Sequence, residues 1–323
     1  MSLLDFPYFA KISCFFSGIR YSAIVCKKFI GLIDLLATVA KKPANIRIII
    51  HSLKNFYIFG QNLYFMKKFI VTFLLCALAC ANLSAWGRFG HATVIAIAQR
   101  HLTEKTKANL AGYFDYDLQE DAVWMDIHRQ DKPIAYTTAW HVYNVDGGFR
   151  YDPNPRLKTG DCIHAMYIAD YNLKHYRELS DSAVVMNVRM LIHFAGDMHC
   201  PVHSYIPGPR NFWKCSLNGE DLGTFHGFYD GIPSRLWPDM SPDELAAQLD
   251  DCRKGRMRKI CKGSFADWAR DCGTRNAAIY EINAPLTERL DSDTVEKSRE
   301  TVALQLRDAG YRLAMLLNLY FGK

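Results

Sequence analysis

Apolar residues recur at helical spacing through most of the chain beyond residue 85. The spacing predicts helices over 86–102, 118–129, 162–179, 182–199, 242–251, 265–282 and 295–320. Residues 130–160 and 200–224 are interrupted by Pro, Gly and other turn residues, which is typical of loops. No alternating run is long enough to predict a sheet. The pattern therefore predicts an all-α fold, a single mainly helical domain whose long loops serve a functional site.

The stretch HFAGDMHCPVH, from His193 to His203, carries a chemical signal within one of these helices. His193 and Asp197 are four residues apart, so both side chains lie on the same face of the helix. Pro201 is expected to end the helix, which lets His203 return toward that face from the following loop. Burying such a polar pair is costly unless something neutralises it, and a divalent metal ion would do so.

The segment TFHGFYDG repeats this spacing, because His226 and Asp230 are again four residues apart. Either pair alone could be a buried structural contact. With His203, however, the two pairs supply five nitrogen or oxygen donors of the kind that zinc binds.

Met66 begins a segment with the features of a secretory signal peptide. Lys67 and Lys68 precede the apolar run FIVTFLLCALA, and small residues follow up to Ala85. The chain is therefore interpreted as an N-terminal extension (1–65), a signal peptide (66–85) and a folded domain (86–323). The extension is read as an over-extended translation start, with a membrane-associated leader as the alternative. A cleaved signal predicts a secreted or periplasmic protein that has no stable membrane association and no evident obligate protein partner.

Charge is distributed unevenly between these parts. The whole chain has a formal net charge of +6, but residues 1–85 hold 10 of the basic side chains and only 2 acidic ones. The remainder has 29 basic and 31 acidic residues. The basic character therefore belongs to the leader and carries no information about nucleic-acid binding.

Six cysteines lie beyond residue 85, an even number that favours disulfides in an exported protein. They are Cys162, Cys200, Cys215, Cys252, Cys261 and Cys272. A zinc-thiolate site is the competing interpretation, but no CxxC spacing supports it.

Further candidate ligands lie in three short motifs that contain tryptophan. These are WGRFGH at 86–91, VWMD at 123–126 and WHVYN at 140–144. HFAGDMHCPVH, then HGFYD at 226–230 and AGYRLAMLLN at 309–318, follow in order. This series resembles the trinuclear-zinc, single-strand-specific S1/P1 nucleases of fungi, plants and bacteria, to which bacterial zinc phospholipase C is distantly related.

The resemblance implies three zinc ions in a cleft of the helical domain. The ligands that it implies are Asp126, His141, His193 and Asp197 for the first zinc, His203, His226 and Asp230 for the second, and His91, Asp197 and the free amine and carbonyl of Trp86 for the third.

The resemblance also implies a function, which is hydrolysis of single-stranded RNA and DNA to 5′-phosphorylated products, with 3′-nucleotidase activity as a further expectation. Asp126 would bind metal and orient the attacking water, and Arg129 would neutralise charge on the phosphate. The third zinc would need cleavage between Ala85 and Trp86, because a free amine binds zinc far better than a peptide nitrogen does.

Some positions depart from the family pattern. PGPRNFWKC occupies the region where a Gly-Gly-Asn segment is usual, Tyr229 replaces a tryptophan, and the loop Asp146–Asp161 is longer than in fungal members. These departures leave base recognition open. The aromatic residues that could stack an unpaired base are Tyr143, Phe149, Tyr205 and Phe212.

Two other functions fit part of the pattern. A zinc phospholipase C-like phosphodiesterase would use the same metals with a different pocket. A metal-stabilised binding or structural protein would hold the ions without an open coordination position and without turnover.

Overall fold

The structure, a computed structural model, describes residues 86–153, 158–208, 212–283 and 289–323. The expected extension and signal peptide, residues 1–85, lie outside the described residues. Among the described residues there are twelve α-helices: α1 Gly87–Arg100, α2 Glu104–Ala111, α3 Trp124–His128, α4 Cys162–Lys174, α5 Asp181–His199, α6 Phe225–Asp230, α7 Ile232–Leu236, α8 Pro242–Leu249, α9 Lys254–Ile260, α10 Phe265–Ile282, α11 Ser292–Lys297 and α12 Arg299–Phe321. Short 3₁₀-helices span Leu118–Asp121, Ala135–His141 and Tyr176–Glu178.

Helix α5 packs at the centre of the core. The Ser180 hydroxyl accepts the backbone N–H of Ala183 and caps the helix N-terminus. At the other end, Cys200 has extended backbone, with Pro201 next in the chain. From Met190 to His199 every side chain of α5 is buried, because α4 and α12 both pack against this helix. A helix buried on all sides tolerates polar side chains only where they have partners.

Helices α1 and α12 approach each other closely at Gly310. A methyl group on Gly310 would lie 2.5 Å from Cβ of Ile97 and 3.1 Å from the carbonyl oxygen of Val94. Only glycine therefore permits this helix crossing. The crossing holds the middle of α1, the helix that carries His91, against the long C-terminal helix.

Among the residues that the structure describes, two small sheets position the loops. Strands β1 (Tyr143–Asn144) and β2 (Ser204–Tyr205) pair in parallel, and the N–H of Tyr143 donates to the carbonyl of His203 at 3.0 Å. This pairing holds the chain after His141 beside the chain that contains His203.

The second sheet has the strand order β4-β3-β5. Strands β3 (Lys214–Leu217) and β4 (Glu220–Thr224) form an antiparallel hairpin, and β5 (Arg289–Leu290) pairs with β3 in parallel. Asn218 and Gly219 both have positive φ, as a two-residue hairpin turn requires. Strand β4 leads directly into α6, so the hairpin sets the position of the second His–Asp pair.

The prediction of a mainly helical domain is confirmed, although several boundaries differ. The expected helix over 118–129 is a 3₁₀-helix followed by α3, and the closing helix is interrupted at Ser298. The segment 200–224, predicted to be irregular, contains strands β2, β3 and β4, and the expected loop 130–160 contains a 3₁₀-helix. The strands are too short to produce an alternating pattern.

The cysteines do not pair in this structure. All six in the described residues are free thiols, so the expected disulfides are absent from it. Cys162 and Cys272 are fully buried, and Sγ of Cys162 donates to the carbonyl of Phe194 at 3.4 Å.

No helix within the described part of the chain is both long enough and apolar enough to cross a bilayer.

Gly310→Ala should destabilise the fold by about 1–3 kcal/mol, since the added methyl group forces α1 away from α12. Gly255→Ala is the matched control, because Gly255 lies in helix α9 with nothing within 4 Å of an added Cβ. That control should gain up to about 1 kcal/mol from helix propensity. Urea denaturation measures both free energies of unfolding, and equal values for the two variants would contradict the close helix contact.

Candidate metal centre

His193 and Asp197 project from consecutive turns of α5 and are both fully buried. Nε2 of His193 lies 3.2 Å from Oδ2 of Asp197, as four-residue spacing on a helix allows. The Nδ1–H of His193 donates to the carbonyl of Ala122 at 3.1 Å. That bond places the hydrogen on Nδ1 and leaves Nε2 as the atom that faces Asp197, an arrangement common for metal-binding histidines.

Asp197 is the point where the other elements meet. Its Oδ2 lies 3.0 Å from Nδ1 of His141, at the end of a 3₁₀-helix. Its Oδ1 lies 3.4 Å from Nε2 of His91 in α1 and 3.4 Å from Nδ1 of His203 in the loop after α5. One buried carboxylate therefore contacts four imidazoles that come from four separate parts of the chain.

Asp126 and Asp230 extend this cluster on two sides. Asp126 in α3 lies 3.4 Å from Nδ1 of His141 and 3.7 Å from Nε2 of His193. Asp230 in α6 lies 3.1 Å from Nε2 of His203 and 3.4 Å from Nε2 of His226. Within the described part of the chain, three groups have donor atoms that all lie within 4.8 Å of one another: His91, His193 and Asp197; Asp126, His141 and His193; and Cys200, His203 and Asp230.

Unpaired buried polar atoms indicate that this cluster could bind metal ions. Among the described residues, twelve buried side-chain nitrogen or oxygen atoms have no hydrogen-bond partner. Nine of them belong to His91, Asp126, His141, Asp197, His203 and His226. Buried polar atoms are almost always paired, so this concentration indicates a missing partner. Imidazole and carboxylate donors that converge in this way fit divalent metal ions such as zinc.

The charges of the cluster support the same conclusion. Burial disfavours the charged imidazoles of His193 and His203, but neighbouring carboxylates outweigh it and raise the pKa to about 9 for His193 and to about 10 for His203. Against the effect of its own burial, Asp197 has a pKa well below its usual value because of His193 and His203. A divalent cation would replace those imidazole protons and satisfy the same carboxylates.

His91 and His226 differ from these two histidines. Burial lowers the pKa of His91, and it lowers the pKa of His226 to about 4. The ring of His91 stacks on that of His193, and the ring of His226 stacks on that of His203. Neutral imidazoles of this kind are ready to bind metal without losing a proton.

Trp86 and Arg129, which the sequence also predicts to be site residues, differ in their exposure to solvent. Trp86 is fully buried and has a positive φ of 42°, and its carbonyl accepts the N–H of Gly90 at 3.1 Å. Arg129 has a side chain that is 34% exposed, and its Nη1 lies 3.8 Å from Oδ1 of the almost fully buried Asp126. Arg129 therefore lies between the buried cluster and solvent.

Two residues of the site were missed by sequence reasoning. Gly196 lies in α5, and a methyl group on Gly196 would lie 2.4 Å from Nδ1 of His91. For Cys200 the sequence favours a disulfide over a zinc-thiolate site, but its Sγ lies 3.4 Å from Oδ1 of Asp230. Its place inside HFAGDMHCPVH was the available signal. Burial and the charge of Asp230 raise the pKa of the Cys200 thiol well above its usual value.

Comparison with known proteins adds an independent observation. A family model described as S1/P1 nuclease matches residues 86–322. Nuclease P1 from Penicillium citrinum is 22% identical over 274 residues, which cover 72% of this chain and 97% of that protein. Nuclease S1 from Aspergillus oryzae is 22% identical over 279 residues, covering 75% and 94%. Endonuclease 2 from Arabidopsis thaliana is 24% identical over 298 residues, covering 81% and 99%.

Gly196→Ala should lower the metal content of the purified protein, because the added methyl group occupies the space of the His91 ring. Ala195→Gly is the control on the same helix, since it adds no atom near His91. Elemental analysis of both variants after dialysis measures the metal bound per chain. Unchanged content in Gly196→Ala would show that His91 can move away without loss of a metal.

Proposed function

The chain belongs to the S1/P1 nuclease family, and we propose that it is a zinc-dependent nuclease that cleaves single-stranded RNA and DNA to 5′-phosphorylated products. The family and the nuclease relatives make it a hydrolase that acts on phosphodiester bonds of nucleic acids. The observation that supports zinc dependence is the group of nine unpaired buried donor atoms around Asp197.

The ligands proposed for the three ions are those that the family resemblance implies. Asp126, His141, His193 and Asp197 would hold one ion, His203, His226 and Asp230 the second, and His91, Asp197 and Trp86 the third. Bound zinc would supply positive charge that polarises the phosphate and lowers the pKa of a water molecule to near neutrality.

Asp126 and Arg129 are the side chains proposed to act on the substrate. Both oxygens of Asp126 are buried and lack a hydrogen-bond partner, so one of them can accept a proton from the attacking water while the other binds metal. Arg129 is half exposed beside Asp126, and its guanidinium can donate to phosphate oxygens from the solvent side. A terminal 3′-phosphate could be bound by the same groups, which supports 3′-nucleotidase activity.

Phe212 supports a preference for unpaired bases. Its side chain is 57% exposed, and its ring stacks on that of His226 with centroids 5.0 Å apart and an angle of 16°. Among the other candidates for stacking, Tyr143 is 1% exposed and its hydroxyl donates to the carbonyl of Met198, so it cannot receive a base. An exposed ring beside a proposed metal ligand is accessible to a base only when that base is not paired in a duplex.

We also propose that the mature enzyme begins at Trp86 after export to the periplasm or the outside of the cell. Trp86 is fully buried, and a Cβ on its neighbour Gly87 would lie 3.6 Å from the carbonyl oxygen of Asp230, so a free amine at Trp86 could bind metal near the cluster. Protein that is still joined at Ala85 should therefore bind less zinc and hydrolyse more slowly than protein that starts at Trp86.

Zinc-loaded protein that starts at Trp86 should cleave a single-stranded oligonucleotide much faster than the matching duplex, and mass spectrometry should find 5′-phosphate on the products. Asp126→Asn should lower kcat by roughly 10²–10⁴-fold, as expected for a residue that accepts a proton. Asp115→Asn is the control, because Asp115 is an exposed carboxylate outside the cluster.

Hydrolysis of phosphatidylcholine without cleavage of oligonucleotides would favour the phospholipase C-like alternative, and zinc binding without either activity would favour a structural protein.

Phe212→Ala should lower kcat/KM for single strands by roughly 5–150-fold, because stacking contributes about 1–3 kcal/mol per base. Phe212→Trp should retain most of the activity, since a larger aromatic face is preserved. Tyr171→Ala removes another exposed aromatic ring, one that contacts His175 and no cluster residue, and should have no effect. Equal loss in the Phe212 and Tyr171 variants would contradict a specific stacking role.

A further inference from the structure

Cys200 lies where α5 ends and is fully buried beside one of the proposed metal positions. Its Sγ is 3.4 Å from Oδ1 of Asp230. Sγ of Cys200, a ring nitrogen of His203 and a carboxylate oxygen of Asp230 all lie within 4.8 Å of one another. Three different donor types therefore converge on one point of the cluster.

His203 provides a second and independent observation. Its side chain is 2% exposed, and neither of its ring nitrogens has a hydrogen-bond partner. Nε2 lies 3.1 Å from Oδ1 of Asp230, the same oxygen that contacts Cys200. Donor atoms on a tetrahedral zinc lie roughly 3.3–3.8 Å apart, given bond lengths of about 2.0–2.3 Å. The two measured separations are close to that range.

His226 is placed differently from Cys200. Its ring lies face to face with the ring of His203, at a centroid distance of 5.0 Å and an angle of 17°. It contacts the other oxygen of Asp230, Oδ2, at 3.4 Å. Cys200, His203 and Asp230 form the compact group, and His226, which contacts the other oxygen of Asp230, remains a further ligand of the same ion.

We propose that Cys200 is a thiolate ligand of the metal ion bound by His203 and Asp230, so that this ion has sulfur, nitrogen and oxygen donors. The proposal rests on the metal centre of the proposed function. On binding, the S–H bond breaks, its proton leaves to solvent, and one metal–sulfur bond forms without any redox change.

A thiolate ligand changes the properties of this position in two ways. Sulfur is a soft donor, so the position should prefer zinc and cadmium over magnesium and manganese. The thiolate also neutralises part of the charge of the ion, which makes this ion less able to polarise a phosphate than the one bound by Asp126, His141 and His193. The positions whose donors are only nitrogen and oxygen keep the greater polarising power.

Cobalt substitution tests the proposal directly. Protein that starts at Trp86 is loaded with Co²⁺, and its absorption spectrum is recorded along with its cobalt content. A thiolate ligand gives an intense sulfur-to-cobalt charge-transfer band in the near ultraviolet, whereas nitrogen and oxygen ligands give only weaker bands in the visible. We expect the charge-transfer band in the unmodified protein and its loss in Cys200→Ser, with the visible bands retained.

Cys162→Ser is the matched control, because Cys162 is equally buried but donates to the carbonyl of Phe194. It should keep the charge-transfer band. Bound cobalt without this band in the unmodified protein, or a band that Cys162→Ser removes and Cys200→Ser keeps, would overturn the proposal and leave the proposed function intact. Failure of the protein to bind cobalt or zinc at all would overturn both.

Discussion

The structure depends on how it stabilises one carboxylate, that of Asp197, at the centre of the core. This side chain has no contact with solvent and lies within 3.4 Å of four histidines. A buried charge is destabilising unless it is paired, and removing one partner leaves the others uncompensated. The elements that carry His91, His141 and His203 must therefore be in place together, which couples the assembly of the site to the folding of the domain.

The buried donors of the cluster and the exposed side chains beside it have different surroundings. Helices α1 and α5 and the pairing of β1 with β2 position His91, His193, Asp197, His141 and His203, whereas the short helices α3 and α6 carry Asp126, His226 and Asp230. Arg129 and Phe212 lie at the exposed side of the same cluster. Buried, packed side chains suit metal ligands because small displacements weaken binding, whereas exposed side chains can adapt to the shape of a bound molecule.

His199 shows that a buried histidine near the cluster need not be a metal ligand. It lies on α5 two residues after Asp197 and is as deeply buried as His193. However, its Nδ1 donates to the carbonyl of Ala195 at 2.7 Å, and its Nε2 accepts from Nη1 of the buried Arg312 at 2.8 Å. Both nitrogens are occupied, and burial together with Arg312 keeps the pKa well below its usual value. This histidine connects α5 to α12 and has no free donor for a metal.

The sequence by itself determined the helical class, the spacing of the two His–Asp pairs and the order of the motifs. These are local or periodic properties, because residues four apart share a helix face whatever surrounds the helix. Only the tertiary structure decided how closely His91, His141 and His203 approach Asp197, that Gly196 leaves room for the ring of His91, and that Cys200 faces Asp230 rather than another thiol. Apart from that of His203, which is six positions from Asp197, these contacts join residues 30 to more than 100 positions apart in the chain. Their geometry follows from helix crossings and strand pairings that no local pattern specifies.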